Sequence, residues 1–318
     1  MLKLNSLSGF GSGVSGAAGA AGRGFHLGGH TGSAPHSTAV DEFTYATGTM
    51  AVNTDAELVA GGAKLYTAWA SDTALAGYSA GGSVPPNTDI LTKLTYATDT
   101  HSILTDTMID AHSDLGATTN PESDGYFFCG QGRSVTEKLS YSTENFSTLT
   151  DDFDFGRDEV TGMSAGATHG YVIAGYNQST SEKITYSTDS TGIVTDAELP
   201  HVMSIHRTGI NDATHGYASG GNTGASYSDS TYKMTFATDT MVAATDANLV
   251  VGRAAMGGAF GDGSVAGYWC GGVTAAATYV DTLEKLTFAD STTAAYTDAT
   301  LSAAKAYGGQ AGISELNY

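Results

Sequence analysis

Histidine is the residue type in this chain that most directly suggests metal or acid–base chemistry, and nine are present. His30 and His36 flank a loop, where a weakly bound metal ion is conceivable. His169 and His215 both lie in the sequence ATHGY, and a residue repeated in equivalent turns is expected to be structural. Because no spacing typical of a metal centre emerges, we predict no metal and no cofactor.

Carboxylates are the second group of side chains that could take part in catalysis, since the chain contains 33 Asp and Glu residues. Six aspartates follow a threonine at equivalent places, and we expect them to form turns by bonding their own backbone. They are Asp55, Asp106, Asp151, Asp196, Asp246 and Asp298. Glycoside hydrolysis by a carboxylate pair stays open as an alternative. No P-loop, GxSxG or HExxH motif is present, and we predict that the chain is not an enzyme.

Blocks of sequence that recur six times must position any such residues. The first block is a glycine followed by an aromatic residue, and its copies begin at Gly24, Gly77, Gly125, Gly170, Gly216 and Gly267. The second alternates polar and apolar side chains, as in EKLSYSTE from Glu137, which is the period of a half-buried strand. The Thr-Asp pairs form a third block, and a fourth segment leads into the next copy. Four short strands in a unit of roughly 50 residues are typical of a propeller blade.

A lysine recurs in five copies of the second block, with Glu42 in the remaining copy. These lysines are Lys93, Lys138, Lys183, Lys233 and Lys285. One lysine per copy on the polar face of a strand predicts a solvated position that takes no part in substrate binding.

We therefore predict an all-β protein, with a six-bladed β-propeller of four-stranded blades over residues 22–318 and a flexible Gly/Ala/Ser-rich arm over residues 1–21. The first blade lacks a fourth segment before it, and KAYGGQAGI from Lys305 matches the missing segment. The C-terminal strand is thus expected to join the first blade and close the ring, which removes open sheet edges. The aromatic residue after each glycine is expected to fill the wedge between adjacent blades.

The two cysteines, Cys129 and Cys270, occupy nearly the same place in blades three and six. Those blades lie across the ring from each other, whereas the Cα atoms of a disulfide must lie within about 7 Å. We expect both cysteines to be buried, small apolar residues without a disulfide between them.

The formal charge of −20 restricts the partners of this chain. Phosphate binding needs clustered Lys and Arg, and no such cluster is present, so nucleic acid is not an expected partner. No apolar run approaches the about 18 residues of a membrane span. The opening MLKLNSLSGFGSGV also lacks the apolar core of a secretory signal.

The layout of these blocks resembles the kelch superfamily over residues 22–318. The kelch pattern combines Gly-Gly, a Tyr and a Trp at set distances, and here neither Trp69 nor Trp269 stands at the Trp position. Kelch-fold oxidases hold copper with a crosslinked Tyr and Cys plus two His, a set that this chain does not match. The phrases TYATDT, TYSTDS, TFATDT and ATHGY and the opening LNSLSGFGSG are similar to kelch-like structural proteins of bacteriophages, especially marine and cyanobacterial ones.

This resemblance implies a non-enzymatic protein of the virion, as a tail, fibre or capsid-surface component. The loops after the Gly-aromatic strand are longest in blades five, six, one and two, which are neighbours around the ring. Unshared positions of a repeat are free for function, and we predict a recognition surface there with His30, His36, Tyr227 and Tyr279 exposed. Neutral variation of the loops is the alternative interpretation.

The arm is expected to attach the chain to other virion proteins, with Leu4, Leu7 and Phe10 as anchoring residues. Other expected partners are a glycan or protein of the host surface and further copies of this chain in a homo-oligomer. We expect no nucleic acid partner and no membrane span. The competing hypotheses are a carbohydrate-active or oxidative enzyme on a kelch fold and a kelch adaptor that binds another protein.

Overall fold

The computed structural model describes residues 22–32, 36–59, 68–72, 75–83, 86–176, 178–200, 208–222, 226–256, 258–274, 278–307 and 309–311. The predicted arm, residues 1–21 with Leu4, Leu7 and Phe10, lies outside the described residues, as does the segment 312–318.

The described strands form six four-stranded antiparallel sheets arranged as a six-bladed β-propeller, which confirms the fold predicted from the repeat. Two short 3-10 turns, Thr195–Ala197 and Thr245–Ala247, precede inner strands of blades five and six. Blade one contains β1 (Arg23–Leu27), β2 (Val40–Thr44) and β3 (Thr49–Asn53), and β26 (Gly309–Ala311) returns to it from the C-terminal end. Blade two contains β4 (Ala68–Ser71), β5 (Ala76–Ala80), β6 (Ile90–Thr95) and β7 (Thr100–Thr107). Blade three contains β8 (Gly116–Asn120), β9 (Asp124–Phe128), β10 (Thr136–Ser140) and β11 (Asn145–Thr148).

Blade four contains β12 (Thr161–Ala165), β13 (His169–Gly175), β14 (Gln178–Thr185) and β15 (Ser190–Ile193). Blade five contains β16 (Thr208–Asn211), β17 (His215–Ser219), β18 (Thr231–Thr235) and β19 (Thr240–Ala243). Blade six contains β20 (Gly258–Gly261), β21 (Ala266–Cys270), β24 (Thr282–Thr287) and β25 (Thr292–Thr300), and its loop carries the hairpin β22 (Val273–Thr274) and β23 (Thr278–Tyr279).

The ring closes through β26, as the C-terminal sequence predicted. Strand β26 pairs antiparallel with β1, with Leu27 opposite Gly309, and so becomes the innermost strand of blade one. The six innermost strands, β26, β4, β8, β12, β16 and β20, contact one another in that order around the ring. They approach so closely that a methyl group on Gly162 would overlap the carbonyl oxygen of Ala117. Small residues are therefore required where inner strands meet.

The two ends of the propeller differ in the connections that they carry. Because neighbouring strands in a blade are antiparallel, the tight turns after its first and third strands lie at one end, here named the turn end. The loops after the second strands and the connections between blades lie at the opposite end, here named the loop end.

Stacked aromatic pairs fill the interfaces between blades, as the Gly-aromatic block predicted. One ring comes from the second strand of a blade and the other from the third strand of the next blade or the residues after it. Ring centroids are 4.9 Å apart for Tyr126 and Tyr186 and 6.2 Å apart for Tyr268 and Tyr45. The other pairs are Phe25–Tyr96, Tyr78–Tyr141, Tyr171–Phe236 and Tyr217–Phe288. Apolar packing of this kind supplies most of the stability of the contact between blades.

Four of the five repeated lysines link blades, so for these four the prediction of a solvated position is wrong. Lys138 Nζ lies 3.0 Å from Asp189 Oδ2 in the next blade, and the Tyr126 hydroxyl donates to Asp189 Oδ1 at 2.8 Å. The Lys138 side chain is 22% exposed. Three further lysines reach the equivalent turn in the same way, in the pairs Lys93–Glu144, Lys183–Asp239 and Lys233–Ser291.

The repeated Thr-Asp acids also act between blades where their hydrogen bonds are described. Asp106 of blade two accepts the Phe146 backbone N–H of blade three at 2.5 Å. Asp151 of blade three accepts the Thr191 N–H of blade four at 3.0 Å. For these two residues the prediction of bonds to their own backbone is wrong, because the blades lie close enough for the carboxylate to reach an outer strand of the neighbour.

Both cysteines are buried and free, as their places in the repeat predicted. Burial raises the pKa of the Cys129 and Cys270 thiols well above the usual value, which keeps them protonated and unreactive.

Candidate recognition surface at the loop end

The loop of blade one is fastened to the chain that closes the ring. His30 N–H donates to the Ala306 carbonyl at 2.7 Å, and Ala306 N–H donates back to the His30 carbonyl at 3.0 Å. This two-bond bridge joins residues from opposite ends of the sequence. It therefore fixes the position of His30 at the loop end, next to the connection from blade six.

Three of the four predicted site residues lie in direct contact. The His30 and His36 rings are 5.3 Å apart and nearly perpendicular, and the His30 and Tyr279 rings are 5.6 Å apart and also nearly perpendicular. Strand β23 carries Tyr279, and its pairing with β22 holds that side chain over the blade-one loop. The structure thus confirms that loops of blades one and six meet, although these residues are half-buried and not fully exposed.

Burial affects the charge of His36. The pKa of His36 is lowered first by loss of solvent and then by the neighbouring His30. The Nδ1 atoms of His30 and His36 are both buried, and neither has a hydrogen-bond partner among the described residues. Around neutral pH His36 is therefore an uncharged ring that offers apolar contact.

Tyr227, the fourth predicted residue, joins the same surface from blade five. Its loop is bridged by Asn222 and Tyr227 and by a hydrogen bond from Ser228 N–H to the Gly221 carbonyl at 2.8 Å. Tyr227, Tyr279 and Tyr307, together named the tyrosine patch, pack against a floor of small buried side chains. That floor consists of Ala255, Val273 and Ala306.

Tyr307 is a member of the patch that the sequence analysis missed. It follows Lys305 by two residues, within the segment interpreted only as the closing strand. The equivalent place is occupied in three other connections, where Asp114 follows His112, Glu159 follows Arg157 and Ala255 follows Arg253, each by two positions. All four equivalent residues have left-handed backbone, with φ of 64° at Asp114, 55° at Glu159, 52° at Ala255 and 56° at Tyr307. Aligning the six connections between blades would have found this position.

These left-handed residues surround the mouth of the central channel at the loop end. Glu159 N–H donates to the Asp114 carbonyl at 3.1 Å, and Tyr307 N–H donates to the Ala255 carbonyl at 3.0 Å. Burial raises the pKa of Tyr307, and the neighbouring Tyr279, Tyr227 and Glu159 side chains raise it further. Glu159 belongs to the connection before blade four, on the other side of the ring.

Buried ion pairs hold the connections that carry these mouth residues. Arg157 is fully buried and donates to Glu182 at 2.6 Å and to the carbonyls of Ala174 and Thr180 at 3.0 and 2.7 Å. Arg253 contacts Glu284 in the same arrangement in blade six, and Lys305 contacts Asp41 at 2.6 Å in blade one. Sequence analysis singled out the lysines of the turn end but not these bases, which recur before the inner strands.

Blade three carries an exception to this arrangement. His112 stands where the connections before blades four, six and one carry Arg157, Arg253 and Lys305, and its Nδ1 lies 2.7 Å from the Asp110 carbonyl. The equivalent acid, Glu137, is 1% exposed and accepts the Ile109 N–H at 3.0 Å. Burial without a paired cation raises the pKa of Glu137 to about 7.

No family model and no curated protein matches this sequence. The described residues contain no group of three or more His, Cys, Asp or Glu side chains that could hold a metal ion. Within the same part of the chain, no helix is long and apolar enough to cross a membrane. What the site can do chemically therefore follows from its geometry, which offers aromatic faces and apolar methyl groups on a rigid frame.

Proposed function

We propose that this chain is a non-enzymatic structural protein of a bacteriophage particle, a tail, fibre or capsid-surface component whose propeller is a rigid recognition module. The observation that carries the proposal is the convergence of unrepeated aromatic residues from blades five, six and one at the loop end. The virion assignment is supported by the similarity of the repeated phrases to phage structural proteins.

A recognition module needs side chains that differ from the scaffold and a frame that holds them still. The loop end meets both conditions, because His30, Tyr227 and Tyr279 are tied down by backbone bridges. Their rings are half-buried, so they lose little conformational entropy on binding. Tyrosine and histidine also combine apolar faces with polar atoms, which suits contact with proteins and glycans.

In this proposal the first 21 residues attach the chain to other virion proteins, and the loop end stays available for the host surface. The net charge of −20 disfavours contact with nucleic acid and with like-charged surfaces. No reaction is assigned to the chain.

The test is to look for the chain in purified phage particles by mass spectrometry and to locate the propeller by cryo-electron microscopy. The expected result is a fixed number of copies per particle with the loop end facing outward. A particle preparation without the chain, from the phage that encodes it, would overturn the virion assignment.

The recognition role is tested separately with the purified full-length chain and host cells. Replacing Tyr227 and Tyr279 together by Leu should reduce the bound fraction at least roughly tenfold, because interface aromatics dominate binding energy. Tyr176, half exposed at the loop end of blade four and outside the tyrosine patch, is the matched control, and Tyr176→Leu should bind as the unaltered chain does. Equal loss in both variants would contradict the assignment of the surface.

A further inference from the structure

The part of the chain that the structure describes begins and ends at the turn end of blade one. Strand β26 runs toward the turn end and ends at Ala311, opposite Phe25. Strand β1 starts at the same end, directly after Gly22, whose carbonyl accepts the Tyr45 N–H at 2.8 Å. Residues 1–21 therefore join the propeller at the turn end, whereas the tyrosine patch lies at the loop end.

Gly22 has a structural equivalent in every blade, because the same hydrogen bond recurs around the ring. In each blade the carbonyl of the residue before the second strand accepts the N–H of the residue after the third strand. The other five pairs of acceptor and donor residues are Leu75 and Tyr96, Ser123 and Tyr141, Thr168 and Tyr186, Thr214 and Phe236, and Val265 and Phe288. These bonds identify one position per blade whose side chain can be compared across the repeat.

The side chain at this position is polar in three blades and apolar in two. Blades three, four and five carry Ser or Thr, whereas Leu75 of blade two is 65% exposed and Val265 of blade six is 60% exposed. No other described turn of the turn end carries an exposed large apolar side chain. Blades two and six are the two neighbours of blade one, and β26 contacts both β4 and β20. The two apolar side chains therefore flank the place where residues 1–21 join the propeller.

The outer turn of blade one is also unlike its equivalents. Its residues 45–48 read YATG and include no charged side chain. The corresponding turns of the other blades each contain an acid, and these acids are Asp99, Glu144, Asp189, Asp239 and Asp290. Leu75, Val265 and the turn 45–48, together named the seam patch, thus form an apolar sector centred on blade one. Unrepeated, exposed apolar side chains of this kind mark a contact surface.

The segment best suited to cover the seam patch is the start of this chain. Residues 2–10 contain three leucines, Phe10 and one charged side chain, Lys3. Asp72 and Asp262 lie in the two turns that carry the apolar side chains of the patch. Together with the net charge of −20, these acids favour a segment that brings a lysine and no acid.

The length of chain before Gly22 allows this contact within one molecule. Residues 11–21 are mostly Gly, Ala and Ser, and linkers of this composition and length have an end-to-end distance of roughly 20 Å. Such a tether keeps the concentration of residues 2–10 near their own seam patch in the millimolar range. The other segment that joins at the turn end, residues 312–318, carries Glu315, which the acidic propeller repels.

We propose that residues 2–10 dock on the seam patch of their own propeller. The leucines and Phe10 cover Leu75 and Val265, and Lys3 lies near the acids of the two flanking turns. The contact holds the start of the chain at the end opposite to the tyrosine patch. The proposal goes beyond the proposed function, since it does not depend on the chain being part of a particle.

The test is limited proteolysis of the folded full-length chain with chymotrypsin, followed by mass spectrometry of the peptide released after Phe10. Cleavage tracks the fraction of chains in which the segment is undocked. Leu75→Thr combined with Val265→Thr introduces the residue type of blades four and five, and it should raise the cleavage rate roughly tenfold because the apolar contact is lost. Ile109→Thr combined with Val250→Thr, which alters two similarly exposed residues of the loop end, should leave the rate unchanged.

Variants of the two terminal segments give an independent measure, should the seam-patch variant not fold as judged by circular dichroism. Leu4→Ser combined with Leu7→Ser should also speed cleavage after Phe10 roughly tenfold, because it removes the apolar side of the contact that the segment supplies. Ile313→Ser combined with Leu316→Ser alters the other segment at the turn end and should leave the rate unchanged.

The outcomes separate docking within one chain from the other ways to cover the patch. Unchanged cleavage in a folded seam-patch variant, or in the variant of Leu4 and Leu7, would overturn the proposal. An equal rise in the loop-end control or in the variant of residues 312–318 would overturn it as well. Protection that falls on dilution would mean that residues 2–10 dock on a second copy, which contradicts docking within one chain.

Discussion

The turn end and the loop end both join neighbouring blades through charged side chains, but they do so with different repetition and burial. At the turn end the same lysine–acid pairing recurs, with lysine side chains 22 to 27% exposed in Lys138, Lys93 and Lys183. At the loop end the described residues also form three base–acid pairs, but these are almost fully buried, as in Arg157–Glu182. The partly exposed lysine–acid pairs of the turn end recur between blades and hold neighbouring blades in line. The buried pairs of the loop end instead hold the connections between blades, and with them the unrepeated residues that those connections carry.

The interface between blades six and one sharpens this comparison because it departs from the pattern at the turn end. The turn position that carries Asp189 in blade four is Gly48 in blade one, and both have left-handed backbone. Lys285 has no carboxylate there, and it lies 6.0 Å from the Tyr268 ring centre. The Tyr296 hydroxyl bonds the Gly48 carbonyl at 2.8 Å instead. The seam where the chain closes thus relies on aromatic packing.

The largest expected effect comes from breaking a buried pair of the loop end. Arg157→Met leaves Glu182 buried without its cation and should lower the free energy of unfolding by about 3–5 kcal/mol. Urea unfolding followed by tyrosine fluorescence measures the change. Arg133→Met is the matched control, since the Arg133–Asp110 pair is exposed and should cost less than about 1 kcal/mol. Equal costs for the two variants would remove the distinction between buried and exposed pairs.

The second effect concerns Glu137, the loop-end acid that lacks a buried base. Its pKa is about 7 in the folded chain against 4.5 in the unfolded chain, so the folded chain holds a proton that the unfolded chain releases. The stability from this group is present below about pH 4.5 and is lost as the pH rises through 7. Glu137→Gln should therefore stabilise the protein by about 2 kcal/mol at pH 8 and by little at pH 4.5. Equal effects at both pH values in urea unfolding would contradict the assignment.

A smaller effect is expected at the turn end. Lys138→Met removes the pair with Asp189, and because both side chains are partly exposed the cost should be about 1 kcal/mol. Lys285→Met removes the equivalent lysine at the seam, where Gly48 offers no carboxylate, and should cost no more than a few tenths of a kcal/mol. Thermal unfolding of the two variants side by side measures the difference. A larger cost for Lys285→Met would mean that the seam uses its lysine after all.

The smallest effect on stability is expected for the recognition surface itself. His36→Gln should change the free energy of unfolding by less than about 0.5 kcal/mol, because His36 is a half-buried loop residue outside the propeller core. It should nevertheless reduce attachment to host cells, since its ring packs against His30. Unchanged attachment in the cell-binding assay would remove His36 from the surface.

Much of the fold was readable from local patterns. The Gly-aromatic pairs placed the second strand of every blade, and the alternation in EKLSYSTE placed β10 with Leu139 buried and Lys138 half-buried. The match between KAYGGQAGI and the missing segment of blade one predicted the closure through β26. These predictions succeeded because strand period and repeat length are properties of contiguous residues.

The roles of individual polar residues were harder to predict. Lys138 and Asp106 act on a neighbouring blade, and nothing in the surrounding sequence distinguishes them from solvated or turn-forming residues. Loop length alone placed His30, His36, Tyr227 and Tyr279 at the candidate surface, and their role in recognition stays a prediction. Tyr307 was missed because it lies in a segment whose local pattern indicates only a strand.

The sequence by itself determined that the chain forms a propeller of six equivalent blades and which segment closes the ring, because repeated strand patterns leave few other ways to bury the apolar faces. Only the tertiary structure decided that Tyr307, Tyr227 and Tyr279 pack against one apolar floor and that Glu137 is buried without a base. Closing the ring brings together residues that are far apart in the chain, and their burial and charge depend on partners that the local sequence does not contain.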